Sequence, residues 1–363
     1  MGKENIGALL VIGNQNIGGS GGTGSFRYLT DFFIIYQHGV LLFFREGSPT
    51  LLVGSELQRD WAKKYSWVED VRPSSNYPEA IVQLLKDRGV KQAKIGVVGM
   101  DSIPASIYLS IRDKLPKAEF FDASIILTKL RLIKGAEERQ LLQKAAQIND
   151  EAYEDVLKHL RPGIREYEIV GILEGYQFRN GADRTFNLIS TGPFPASADG
   201  TPFQYHPWFP GNREIQKGDC VLMEITTVYG GYWNQLVRVV SIGRENHELL
   251  RFQQAIVKTI QAGLEKLRFG MKTTDFVNSM AIAAARDGFK LNPIMGHFVG
   301  LDLTEARFYE AEGQVVFAPN IAIIIHPTIS DSQEISMFWG QTYLTTDNEP
   351  IKLNRTEDIL LNT

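Results

Sequence analysis

The sequence predicts two domains, an N-terminal α/β domain over residues 1–128 and a C-terminal α+β domain over residues 134–363. Three observations predict this division. Strand-like and helix-like runs alternate along the first third of the chain, a boundary falls near residues 128–136, and a helix–turn–helix pattern occurs twice downstream. A chain of 363 residues is long enough to bury two such cores.

Short runs rich in β-branched and aromatic residues predict the strands of the N-terminal domain. These runs cover 32–44, 50–54, 93–99 and 118–124, and residues 78–89 and 105–116 between them have helical spacing. The alternation predicts a mixed or parallel sheet flanked by helices. The glycine-rich stretch 18–22 lacks the Lys-Ser/Thr pair of a phosphate-binding loop, and we interpret it as a flexible loop.

The C-terminal domain contains an internal repeat. A long amphipathic helix is predicted from Glu137 to about Leu160, where Arg161-Pro162-Gly163 ends it. Residues 157–182 then align without gaps on residues 264–289, an offset of 107 residues. The identical pairs are Leu157/Leu264, Leu160/Leu267, Arg161/Arg268, Gly163/Gly270, Val170/Val277, Arg179/Arg286 and Gly181/Gly288. Two related halves would stack their helices on one side of a curved sheet, with a ligand site between them.

Composition excludes several classes of function. A net charge of −4 argues against nucleic acid or an anionic membrane as the main partner. The chain contains no apolar run of membrane-spanning length. Because Cys220 is the single cysteine, no disulfide forms within the chain, which favours a cytoplasmic protein.

Four segments resemble one known superfamily. These are RYLTDFF (27–33), LRLIKGAEERQLLQKAAQINDEA (130–152), IQKGDCVLMEITTVYGGYWNQLVRVVSIG (215–243) and MGHFVGLDLTEAR (295–307). They are similar to the creatinase, prolidase and methionine aminopeptidase superfamily, which has the pita-bread fold. The resemblance implies a creatinase-type N-terminal domain followed by a pita-bread domain with a pseudo-twofold repeat. It also implies a homodimer, in which the N-terminal domain of one subunit borders the active site of the other.

Peptidases of this superfamily bind two divalent metal ions through two Asp, one His and two Glu. The resemblance places Glu224 and Gln235 at the aspartates, His297 at the histidine, and His326 and Gly340 at the glutamates. Glu224 is then the single acidic side chain, and two closely spaced cations would repel each other with little compensation. The resemblance therefore implies degenerate metal ligands and a site without a cofactor.

The remaining polar and aromatic side chains are candidates for binding a small molecule. His206 corresponds to the histidine that transfers a proton in creatinase, which uses no metal, and imidazole titrates near neutral pH. The family's His-Glu motif is represented by Thr304 and Glu305. The predicted substrate-binding residues are Glu224, Tyr232, Gln235, His297, Glu305, His326 and Trp208. If Glu224 is buried without a metal ion, Arg238 or a histidine is its expected partner.

Four hypotheses of function follow. The first is a metal-independent hydrolase of a small C–N compound, with His206 as the proton-transfer residue. The second is a non-catalytic binding protein, since a fold does not fix a function. The third is a hydrolase with one metal ion bound by Glu224, His297 and His326. The fourth, a dinuclear metallo-aminopeptidase, is the least favoured because the acidic ligands are replaced.

Overall fold

The computed structural model describes residues 6–14, 23–90, 93–243, 245–292, 295–307 and 315–363. The chain forms two compact units. The first comprises Met1–Leu132 together with Leu301–Glu305, and the second comprises Ile133–Gly300 together with Ala306–Thr363. The glycine-rich stretch 18–22 lies outside the described residues. No helix in the described part of the chain is long and apolar enough to cross a membrane.

In the part of the chain that the structure describes, the first unit is built on a six-stranded mixed sheet. Its strands are β1 (Ile6–Asn14), β2 (His38–Phe44), β3 (Thr50–Val53), β4 (Asp70–Pro73), β5 (Lys94–Val98) and β6 (Glu119–Asp122). They lie in the order β4-β3-β2-β1-β5-β6. The pairs β3–β4, β1–β5 and β5–β6 are parallel, and β1–β2 and β2–β3 are antiparallel. Its helices are α1 (Thr23–Thr30), α2 (Glu56–Tyr65), α3 (Tyr77–Asp87), α4 (Ala105–Lys114) and α5 (Ser124–Leu132).

Helices cover both faces of this sheet because successive strand residues point to opposite sides. On β1, Leu10 packs in a cluster with Ile81 of α3, whereas Leu9 packs in a second cluster with Phe26 of α1. The near-continuous apolar sequence of β1 follows from burial on both faces.

The prediction of a strand over residues 32–44 is wrong for the first half of this range. The strand β2 begins only at His38, and α1 ends just before the segment that joins them. Asp31 and Gln37 have φ angles of 54° and 58°, a left-handed conformation that interrupts an extended chain. Apolar composition alone therefore overestimated the length of this strand.

Among its described residues, the second unit has a 10-stranded sheet and four helices. The helices are α6 (Ala136–Leu157), α7 (Glu166–Arg179), α8 (His247–Leu264) and α9 (Thr273–Arg286). The sheet strands are β7 (Arg184–Thr185), β8 (Leu188–Pro193), β9 (Asp219–Tyr229), β10 (Tyr232–Ser241), β12 (Gly296–Phe298), β13 (Ala306–Arg307), β14 (Ala322–Ile325), β17 (Gly340–Leu344), β18 (Ile351–Lys352) and β19 (Leu361–Asn362). A separate three-stranded sheet consists of β11 (Lys290–Leu291), β15 (Thr328–Ser330) and β16 (Ser336–Phe338).

The structure confirms the internal repeat. Helices α7 and α9 begin and end at the same offset of 107 residues, and so do the C-terminal ends of α6 and α8. Gly163 and Gly270 occupy matching turns with φ angles of 94° and 82°, where an L side chain would be strained. Their amides donate to the carbonyls of Ile215 and Phe317, both at 2.9 Å. The glycines identical in the two copies are therefore required by the turn that each copy makes.

Candidate functional site

The candidate site lies on the face of the large sheet that points away from α6 and α7. Met223 and Ile225 of β9 pack in the core cluster with these helices, so Glu224 between them points to the other face. Gln235 of β10 pairs with Thr226 of β9 in the antiparallel register. The two side chains at the predicted aspartate positions are thereby brought together.

Glu224 is bound at both carboxylate oxygens. Gln235 Nε2 donates to Glu224 Oε1 at 2.6 Å and to Thr226 Oγ1 at 3.2 Å, and the Tyr205 hydroxyl donates to Glu224 Oε2 at 2.9 Å. Burial raises the pKa of Glu224 to about 7, and the two hydrogen bonds oppose that rise by stabilising the charged form. Burial also raises the pKa of Tyr205, and the adjacent Glu224 carboxylate adds to the rise, so the phenol remains a donor. This carboxyl is therefore poised to exchange a proton near neutral pH.

Arg238 is not the partner of Glu224, contrary to the expectation from sequence. It follows Val237, which lies opposite Glu224 in the register, and so it points to the helix side of the sheet. Its guanidinium is fully buried, pairs with Asp358 at 3.0 Å and lies 4.8 Å from the ring centre of Trp339. Arg238 therefore anchors the C-terminal segment of the chain and takes no part in the site.

Two imidazoles form the other part of the site. His297 lies on β12 and His326 directly follows β14, which pairs with β12. Their ring centres are 5.0 Å apart in an edge-to-face arrangement. Burial and the neighbouring His297 lower the pKa of His326 to about 3, so His326 is neutral at physiological pH. Its Nδ1 atom is buried and has no hydrogen-bond partner among the described residues.

Stacked aromatic rings connect the carboxyl to the imidazoles. The ring of Tyr205 stacks on Phe338 with centres 4.2 Å apart, and Phe338 contacts the ring of His326 at 4.8 Å. The amide of Tyr205 also donates to Ser336 Oγ at 2.7 Å, which fixes the segment against β16. Tyr205 and Phe338 were not predicted as site residues from the sequence. The available signal for Tyr205 was that it directly precedes His206, a predicted site residue.

His206 and Trp208, both predicted site residues, lie on the surface. His206 is exposed, and its Nε2 is 3.0 Å from Gln204 Oε1. Trp208 is 71% exposed and contacts Phe209 edge to face. The Tyr205 side chain therefore reaches Glu224, while the adjacent His206 lies at the surface.

Tyr232 and Glu305 bind side chains outside the candidate site. The Tyr232 hydroxyl donates to Glu138 Oε1 of α6 at 2.8 Å. Glu305 belongs to the first unit, where its carboxylate pairs with Arg131 at 2.7 Å. The structure therefore brings together Glu224, Gln235, His297 and His326, and it places the other four predicted residues in different surroundings.

Gly340 leaves no space for a side chain. It lies opposite Val237 at the start of β17. A Cβ atom at this position would overlap the carbonyl oxygen of Ile325 and would lie 2.5 Å from the Cα atom of His326. The close approach of the two backbones therefore requires glycine.

The histidines and the carboxyl do not form a group of metal ligands. Within the part of the chain that the structure describes, no three or more His, Cys, Asp or Glu side chains lie close enough to hold a metal ion. The trio Glu224, His297 and His326, predicted to bind any single metal ion, is thus not assembled as a ligand set in this part of the chain.

Comparison with known families identifies the class of protein. The model of metallopeptidase family M24 matches residues 140–347, and the model of the creatinase/prolidase N-terminal domain matches residues 1–133. The chain belongs to metallopeptidase family M24. This confirms the predicted fold, a creatinase-type N-terminal domain followed by a pita-bread domain.

Individual relatives have different activities. The chain is 24% identical over 320 residues to an Xaa-Pro dipeptidase of Pyrococcus furiosus, covering 87% of each chain. It is 26% identical over 291 residues to the ectoine hydrolase of Halomonas elongata, covering 71% of this chain and 68% of that one. A match to the uncharacterized peptidase YqhT of Bacillus subtilis is 27% identical over 232 residues and spans 64% of that relative.

Solved structures show the same fold over the whole chain. The prolidase from Pyrococcus horikoshii OT3 superposes with a TM-score of 0.83 and 22% identity, covering 99% of this chain and 97% of that one. The X-Pro aminopeptidase from Thermotoga maritima superposes with a TM-score of 0.83 and 18% identity, covering 100% and 97%. At these identities the likeness concerns architecture, and the chemistry must be argued from the side chains of this chain.

Proposed function

We propose that this chain is a metal-independent hydrolase that cleaves a C–N bond in a small molecule, with Glu224 as the proton-transfer residue. The observation that carries the proposal is the binding of both Glu224 oxygens by neutral donors, Tyr205 and Gln235. These two hydrogen bonds orient the carboxyl, and burial raises its pKa into the neutral range.

The residues present do not fit a pair of divalent cations. Gln235 turns its amide nitrogen, which cannot coordinate a metal ion, toward Glu224, and Gly340 has no space for a carboxylate. Glu224 is the single acidic side chain among the five positions that the family resemblance assigns to metal ligands. One carboxylate does not offset the mutual repulsion of two closely spaced cations.

The geometry suits proton transfer in hydrolysis. The carboxylate of Glu224 would take a proton from a water molecule as the water oxygen bonds to the substrate carbon, and the protonated carboxyl would then give that proton to the leaving nitrogen as the C–N bond breaks. A pKa of about 7 makes both protonation states available near neutral pH. Glu224 and His297 are buried at 8% exposure each, and Gln235 is buried at 1%.

The other residues of the site have binding and supporting roles in this proposal. Neutral His326, with His297 beside it, would bind substrate polar groups, and Gln235 would hold the orientation of Glu224. His206, the proton-transfer residue predicted from sequence, remains a testable alternative. The exposed side chain of His206 would have to reach a substrate from outside the carboxyl–imidazole cluster, which consists of Glu224, Gln235, His297 and His326.

The test combines metal analysis with a substrate panel. Protein purified without chelator is analysed for metals and assayed, with and without EDTA, on guanidino, amidino and N-methyl amino-acid compounds and on Xaa-Pro dipeptides. We expect turnover that EDTA leaves unchanged and that Glu224→Gln lowers at least about 100-fold. Glu138→Gln removes the carboxylate of another Tyr–Glu hydrogen bond and is the matched control.

Other outcomes would select other functions. Proline-dipeptide hydrolysis that requires Mn²⁺ or Co²⁺ would overturn the proposal in favour of a metallopeptidase. Loss of turnover in His206→Ala, but not in Glu224→Gln, would move the proton-transfer role to His206. Ligand binding without turnover would indicate a non-catalytic binding protein.

We also propose a cytoplasmic homodimer, on the basis of the family resemblance and of Cys220, the single cysteine, which is buried. Sedimentation equilibrium tests the assembly. A mass of about 82 kDa, twice the chain mass of 40.8 kDa, is expected, whereas a mass of one chain would contradict the dimer.

A further inference from the structure

Tyr205, the donor to Glu224, lies on an irregular segment of the second unit. Residues 204–207 belong to neither a helix nor a strand, and Gln204 and His206 on either side of Tyr205 are exposed. Among the described residues, the backbone of 204–207 makes a single hydrogen bond, from the Tyr205 amide to Ser336 Oγ at 2.7 Å. The position of Tyr205 therefore depends on contacts that the segment itself does not supply.

Strand β16 supplies these contacts. The Ser336 amide donates to the Phe203 carbonyl at 3.0 Å, and Ser336 Oγ accepts from the Tyr205 amide, so one residue binds the chain on both sides of Gln204. The ring of Phe338, on the same strand, stacks on the ring of Tyr205 with centres 4.2 Å apart. Because residues two apart on a strand share a face, β16 binds both the backbone and the ring of Tyr205.

The opposite edge of β16 is held by regular strand pairing. Ser330 and Thr328 of β15 lie opposite Ser336 and Phe338 in the antiparallel register. Phe338 is buried and also contacts the ring of His326 at 4.8 Å. A strand that is paired and buried in this way opens less readily than an irregular segment, so β16 can fix the position of the residues that it binds.

We propose that Ser336 is a positioning residue whose hydroxyl fixes the segment carrying Tyr205 and thereby holds the phenol against Glu224. Ser336 is not a member of the carboxyl–imidazole cluster and acts through the backbone of Tyr205, whereas Phe338 orients the ring. The expected effect on turnover rests on the proposed hydrolase. The coupling of Ser336 to Tyr205 and Glu224 is measurable without any substrate.

The experiment compares full-length variants by amide hydrogen exchange and by NMR. Ser336→Ala removes the accepting oxygen and leaves the backbone bond to Phe203 in place. Ser336→Thr keeps a hydroxyl oxygen on the same carbon and is the conservative rescue variant. Ser330→Ala is the matched control, because Ser330 lies opposite Ser336 and its hydroxyl has no hydrogen bond in the part of the chain that the structure describes.

We expect exchange of the Tyr205 amide to quicken at least about tenfold in Ser336→Ala, because that amide loses its acceptor. The ring signals of Tyr205 and the ¹³C signal of the Glu224 carboxyl, both at a fixed pH, should shift, which a purely local role of Ser336 would not cause. Ser336→Thr should recover most of these changes, and Ser330→Ala should match the wild type. In the proposed reaction, Ser336→Ala should lower kcat about fivefold and leave KM nearly unchanged.

A folded Ser336→Ala protein with wild-type exchange at Tyr205 and unchanged Tyr205 and Glu224 signals would overturn the proposal. If Ser336→Ala does not fold, Ser336→Cys, which has a similar size and a weaker acceptor, gives the same readouts. Unchanged signals in a folded Ser336→Cys protein would count equally against the proposal. Shifted signals in a chain that hydrolyses no substrate would sustain the positioning role and refute the hydrolase.

Discussion

The hydroxyl of Tyr205 donates a hydrogen bond to Glu224 Oε2 across 2.9 Å and joins a loop before β9 to a carboxyl in the middle of that strand. Together with Gln235 it gives Glu224 the environment of a proton-transfer group, with both oxygens bound by neutral donors. Hydrogen bonds from these two donors hold the orientation of the carboxyl, as proton transfer to a substrate requires.

Replacing Tyr205 with Phe should raise the pKa of Glu224 above about 7, because the hydroxyl stabilises the charged carboxylate. We expect a rise of about one unit, the effect of losing one hydrogen bond to a charged group. Titration of the ¹³C-labelled carboxyl by NMR measures it. Tyr232→Phe, which removes the hydrogen bond to Glu138, should leave Glu224 unchanged. A lower pKa in Tyr205→Phe would contradict the proposed geometry.

Glu224 should make the folded protein less stable as pH rises. Its folded pKa of about 7 exceeds the ordinary value of 4.5, so between these values the native state holds a proton that the unfolded chain has released. Stability therefore falls as pH rises through this window, by up to about 3 kcal/mol. Because His326 changes stability in the opposite direction over the same range, the Glu224 contribution is measured as a difference between two proteins: in urea denaturation from pH 5 to 7, the wild type should lose stability relative to Glu224→Gln as pH rises. Parallel pH profiles for the two proteins would disprove a raised pKa.

His326 should make the folded protein less stable as pH falls, which is opposite to the effect of Glu224. Its folded pKa of about 3 lies below the ordinary 6.5, so in this range the unfolded chain binds a proton that the native state excludes. Stability is therefore lost as pH falls below 6.5, by about 2 kcal/mol on reaching pH 5. His326→Gln should lose less stability over that interval, whereas the exposed His159→Gln should behave as the wild type. Equal acid sensitivity in all three proteins would show that the His326 imidazole is protonated in the native state.

Gly340→Ala should destabilise the protein by about 2–3 kcal/mol or more, because the added methyl group overlaps the backbone at Ile325 and His326. Gly171→Ala is the control. Gly171 lies on an exposed position of α7, where an added methyl group would meet no other atom within 4 Å, and alanine there should stabilise the helix by about 0.5–1 kcal/mol. Thermal and urea unfolding measure both changes. A Gly340→Ala protein as stable as the wild type would show that this strand can move aside and admit a side chain.

The repeat and the order of elements could be predicted from the sequence because they depend on local periodicity. The offset of 107 residues located both copies of the helix–turn–helix. The false first half of the strand over 32–44 shows the limit of this reasoning, since the left-handed backbone conformation at Asp31 and Gln37 is not encoded in hydrophobicity.

The sequence, through its resemblance to a known superfamily, determined the family fold and assigned Glu224, Gln235, His297 and His326 to candidate site positions on different strands. Only the tertiary structure decided the partners of each side chain: Tyr205 in place of Arg238 for Glu224, and Arg131 for Glu305. The physical reason is that spacing along one strand fixes the face on which a side chain lies, whereas contacts between distant segments depend on sheet register and packing. Residues that contact each other from separate elements are therefore identified only when those elements have been assembled.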